Sequence, residues 1–138
     1  MTPKTKIDAV LLTQWTEVGN KLVRLAEEFP EDRYEFRPNG DVRSFAEVLR
    51  HVAFWNQYVA ATAQGEEVDG SRNELPAAEF GTKKRIVAAL RKSFTEAGAA
   101  LQGQKDGELA VPFLVHSAEH CGQMIVYYRL NGLTPPEN

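Results

Sequence analysis

SFAEVLRHVAFWNQYVAATAQG, residues 44–65, carries its own start and stop signals. Ser44 followed three residues later by Glu47 is a capping box, in which each side chain satisfies a backbone N–H that the helix itself cannot. Val48, His51, Trp55 and Tyr58 then fall on one face, and Gly65 suits the left-handed position beyond a helix end. The stretch therefore predicts a helix from Ser44 to about Gln64 with a histidine in its apolar stripe.

Working outward, the same periodicity recurs three times and no segment alternates as a strand does. Between about Lys6 and Glu28, residues Leu11, Trp15, Val18, Leu22, Leu25 and Phe29 step by three and four, and Pro30 ends the run. Thr82 is positioned as an N-cap for a third helix, whose core face is Ile86, Leu90, Phe94, Ala97 and Leu101, closed by Gly103. A fourth begins near Val111, where Pro112 is tolerated in the first turn, and stops at Gly132 ahead of Pro135 and Pro136. Four such helices make an all-α four-helix bundle in a single domain over residues 1–138. The long links 30–43 and 65–81 allow crossover connections, so a simple up-and-down order is not implied.

Composition narrows the function. The chain has 138 residues, 43% of them apolar and 25% charged, with a net charge of −3, which gives no basic footprint for nucleic acid. The run Lys83, Lys84, Arg85 reads as a solvated helix start. One cysteine cannot form an internal disulfide, and the N-terminal stretch is too polar for a membrane span, so a cytoplasmic protein is expected. Cys121 reads as a buried, inert thiol.

The three histidines all fall in helices. His116 and His120 are one turn apart and point the same way, and His51 could face them from another helix. Taken singly, each reads as a core histidine satisfied by a neighbour. Taken together, they form a three-nitrogen metal site with open coordination positions, the pattern of reactive rather than structural sites. Spacing alone leaves both readings standing, and Ser117 in place of Glu excludes the H-E-x-x-H motif. On the same line of the fourth helix, Gln123 and Tyr127 could orient substrate or a metal-held water, or simply pack. Trp55 and Tyr58 read as core or pocket wall. Glu119 reads as an exposed carboxylate, and Gly122 as a place where another helix comes close.

These stretches also carry a resemblance. FPEDRYEFRPNGDVRSFAEVLRHVAFWNQYV, residues 29–59, is similar to the linker and second helix of the DinB/YfiT-like family of bacterial helical-bundle metalloproteins. HSAEHCGQMIVYYRLNGLTPP, residues 116–136, resembles the family's most specific motif, H-x-x-x-H-x-G-Q followed by an aromatic, Arg, Asn-Gly and Pro. The resemblance implies that His51, His116 and His120 ligate a divalent transition metal, with zinc, nickel, iron and copper all compatible with imidazole ligands. It also implies one of three functions: activation of a low-molecular-weight thiol of the bacillithiol or mycothiol type for transfer to a small electrophile, hydrolysis by a metal-bound hydroxide, or metal or small-ligand binding without turnover. Arg43 or Arg129 could meet a thiol's carboxylates. The absence of an obvious acid on the histidine faces leans towards the thiol. A homodimer is expected, with each metal pocket inside one subunit.

Overall fold

A computed structural model describes residues 8–104 and 107–136. It contains four helices, α1 (Ala9–Glu28), α2 (Phe45–Ala63), α3 (Lys83–Gln102) and α4 (Ala110–Leu130), and no strand among the described residues. The expected start of the first helix at Lys6 lies outside those residues; within them Asp8 caps α1 by accepting from the Val10 N–H. The Ser44–Glu47 capping box is present, and Thr82 accepts from the Arg85 N–H at the start of α3. Gly65 and Gly132 adopt φ of 82° and 70° just beyond α2 and α4, a region that costs glycine nothing.

The helices do not pack in chain order. α1 packs chiefly on α3 and α4, and α2 on the same two, so the ring runs α1, α3, α2, α4. Consecutive helices α1 and α2 thus sit across a diagonal, and the 29–44 link crosses between them. That link also finishes the start of α2, because the Phe45 and Ala46 N–H groups donate to the carbonyls of Phe36 and Tyr34 at 2.9 and 2.8 Å. With the capping box, the first turn of α2 leaves few donors unmet.

Each contact of the ring has a polar pin inside an apolar seam. The Trp15 indole N–H donates to the Phe94 carbonyl (3.2 Å) between α1 and α3, and Asn56 donates to Ser93 Oγ (3.1 Å) between α2 and α3. Tyr128 donates to the Leu25 carbonyl (2.5 Å) between α4 and α1. At one end of the core Phe29 and Phe45 stack with centroids 3.9 Å apart, both fully buried, with Tyr34 and Tyr128 around them. Lys83 is held at the Phe29 carbonyl beyond the end of α1, so this part of the basic run secures a helix end. Gly122 corrects the sequence reading: a Cβ there would meet nothing within 4 Å, because this face of α4 points away from the bundle.

Candidate metal centre

The remaining seam, α2 against α4, carries the histidines. His51 stands two turns beyond the capped start of α2 and faces His116 and His120 on α4. Nε2 of His116 lies 2.9 Å from Nε2 of His51 and 3.1 Å from Nε2 of His120. The three side chains form a group that could hold a metal ion. Nitrogens bound at about 2.0–2.1 Å in a tetrahedral site stand about 3.3 Å apart, close to what this triangle already shows.

For His51 and His120 the far side of the ring decides which nitrogen bears the proton. His51 Nδ1 lies 2.7 Å from the Asn73 carbonyl, which can only accept, so the proton sits on Nδ1 and Nε2 offers a lone pair. A longer chain fixes His120. The Arg43 carbonyl accepts the single Tyr127 hydroxyl proton (2.6 Å), so the hydroxyl oxygen must accept from the Gln123 amide N–H (2.9 Å). Gln123 Oε1 therefore faces His120 Nδ1 (2.8 Å), which must be an N–H, and His120 Nε2 is likewise bare. Two lone pairs thus converge on His116 Nε2, which can supply at most one proton. A cation satisfies all three nitrogens, as histidine ligands whose outer N–H is held by a carbonyl typically do.

Protonation is suppressed as well. Burial pulls His51 down to about 4, against the Asn73 carbonyl, with Arg43 and His120 adding to the fall. His116 is also pulled to about 4 by burial and by its two imidazole neighbours, and His120 is lowered by burial. Near neutral pH all three are neutral, the form that binds metal.

Around the triangle the structure places the other residues named from the sequence as follows. Gln123 and Tyr127 touch the site through the chain just described. Trp55 and Tyr58 are half-buried and, with Phe113, make an aromatic wall: Trp55 lies flat against Phe113 at 5.8 Å, and Phe113 meets the His116 ring at 6.5 Å. Phe113 was missed, although its position one turn before His116 signals it. The Asn73 carbonyl was missed because a backbone group has no signature in sequence. Glu119 is exposed, and Cys121 is buried with its thiol pushed up by that burial. Arg129 is exposed, whereas Arg43 reaches the site's edge, donating to Glu74 Oε1 (2.8 Å) and Asn73 Oδ1 (3.1 Å).

A family model described as the DinB superfamily matches residues 14–129. The chain belongs to the DinB superfamily. The match runs from within α1 to the penultimate residue of α4, and so includes all three histidines. No curated protein matches the chain. Among the described residues no helix of this DinB-superfamily chain is long and apolar enough to cross a membrane.

Proposed function

We propose that this DinB-superfamily chain is a metal-dependent enzyme that activates a low-molecular-weight thiol for transfer to a small electrophile. The observation that carries the reading is the pair of lone pairs forced onto His116 Nε2, an arrangement left unsatisfied without a cation. A divalent metal there would supply Lewis acidity, lowering the pKa of a thiol or water that shares the site. The chain's own part is to present three neutral imidazoles and to hold two of them, His51 and His120, with outer hydrogen bonds. The aromatic wall of Trp55, Tyr58 and Phe113 offers a flat apolar surface to an electrophile beside the histidines. Thiol transfer is favoured over hydrolysis because Glu74 is paired with Arg43 and Glu119 is exposed on α4. A general base for water has no evident source among them.

Metal analysis of untagged protein tests the first half of the proposal, and reconstitution with zinc, nickel or iron identifies the preferred ion. Turnover of a model electrophile by the loaded protein should depend on added thiol and vanish in His116→Ala. Turnover of an ester or amide without thiol would support hydrolysis instead, and metal uptake with no turnover would support a binding protein.

Assembly follows from α4. Val111, Val115, Val126 and Leu130 are each about half exposed on its outer side, with the bare Gly122 between them. A second copy pairing through this stripe would cover it, with Glu119 and Arg129 on the flanking surface available to pair across a two-fold axis. Light scattering that gives a dimer for the wild type and a monomer for Val115→Lys is the expected result; a monomeric wild type would end the idea.

A further inference from the structure

The hydrogen bonds behind His51 and His120 run in opposite directions, one into the 64–82 link and one along α4, yet they end on the same residue. Arg43 immediately precedes the N-cap of α2. Its backbone carbonyl accepts the Tyr127 hydroxyl proton and so terminates the chain through Gln123 to His120. Its guanidinium forks to the side chains of Asn73 and Glu74, on either side of the peptide whose carbonyl receives the His51 N–H. Asn73 sits in the left-handed region at φ 44°, so that peptide is turned into an orientation which an unanchored loop would not keep.

We propose that Arg43 is the positioning residue of the metal centre, fixing two of the three ligand imidazoles through two separate groups, its side chain for His51 and its main-chain carbonyl for His120. The proposal rests on the reading of the three histidines as metal ligands. A planar fork is needed because Nε and one terminal nitrogen must reach two acceptors at once, which an ammonium on a flexible stem cannot do. The side chain is 36% exposed, so its removal opens no core cavity. The division of labour also separates the two branches. Replacing the side chain releases His51 and leaves the carbonyl, hence His120, in place.

The sign of the effect distinguishes positioning from charge. The Arg43 guanidinium lies at the edge of the site, bonded on either side of the peptide that His51 contacts. As a mere positive charge it would repel a metal cation, and removing it would tighten metal binding. As a positioning residue its removal weakens binding, by about 10–100-fold, as for other groups that orient a ligand.

The test uses cobalt titration followed by the visible absorption of the bound ion, together with long-range 1H–15N spectra of the metal-free chain that report each histidine's tautomer. Wild type should bind cobalt and show His51 and His120 as Nδ1–H tautomers. Arg43→Ala should lose at least tenfold in cobalt affinity and show mixed tautomers at His51 only, and Arg43→Lys should restore neither. Asn73→Gly keeps the left-handed backbone but removes the side-chain acceptor, so cobalt affinity should fall with an unchanged urea midpoint. Tighter or unchanged cobalt binding by Arg43→Ala, with a single His51 tautomer, would overturn the proposal. A wild type that takes up no cobalt would overturn the metal reading instead, and the tautomer comparison would still decide Arg43's role in orienting His51.

Discussion

Tyr127→Phe removes one oxygen from the chain that fixes His120 and leaves the ring in place. The side chain is 2% exposed, and its ring contact with Phe36 (centroids 5.8 Å apart) survives the change. The hydroxyl makes two hydrogen bonds, to the Arg43 carbonyl at 2.6 Å and from Gln123 at 2.9 Å. Leaving their partners unmet at a buried site costs about 1–3 kcal/mol of folding stability. The effect on metal is separable. Without the hydroxyl nothing dictates which end of the Gln123 amide faces His120, so the ring can carry its proton on either nitrogen. Equal tautomers alone would cost a factor of about two, or ~0.4 kcal/mol, since RT is ~0.6 kcal/mol. Loss of ring orientation as well should bring the total to about 10–100-fold, or ~1.4–2.8 kcal/mol. Zinc affinity measured by competition with a chromophoric chelator gives the second quantity, and urea unfolding of the metal-free chain gives the first. Gln123→Leu should weaken zinc by a similar factor, and the double variant should fall short of the sum because the two residues act in series. Zinc affinity within twofold of wild type in Tyr127→Phe would refute the reasoning, whatever happens to stability.

Other outcomes follow from the same geometry. His51 and His116 are held at about 4 in the folded chain against an ordinary 6.5, so the unfolded chain binds more protons between those values. Stability of the metal-free protein should therefore be full above pH 6.5, decline as pH falls towards 4, and lose nothing further from these groups below that; urea midpoints at pH 7.5, 5.5 and 4 check it, and a flat profile would contradict the burial. Phe45→Ala, which empties half of the stacked pair, should cost about 3–5 kcal/mol in the same assay. His51→Ala should abolish tight zinc binding while far-ultraviolet dichroism stays that of a helical bundle; full zinc retention would mean a different third ligand.

What was legible in the sequence was what is local. The Ser44–Glu47 box, Thr82, Gly65 and Gly132 act within a few residues of themselves, so helix limits could be read within a residue or two over the described chain. The approach of His51 to His116 was legible only in part: spacing left core histidines equally open, and the resemblance to the family motif tipped the reading towards a shared site. The ring order was not, since an apolar stripe states that a helix is covered and not by which neighbour. Gly122 shows the same limit: a small residue is compatible with a close helix or with open space, and here it is the latter. Asn73 and Arg43 escaped because their roles are carried by a carbonyl, and by a side chain reaching across 30 residues of chain.

His51 and His116 stand 65 residues apart in a chain with a single cysteine. An ion held between them would tie the chain into a loop of that length. Closing such a loop removes roughly 4 kcal/mol of conformational freedom from the unfolded chain, by the same chain-entropy reasoning that applies to disulfides. The metal would then be a removable cross-link whose formation needs the last helix in place. A strong chelator would act on this protein as a reductant acts on a protein stapled by cystine, loosening the α2–α4 seam first.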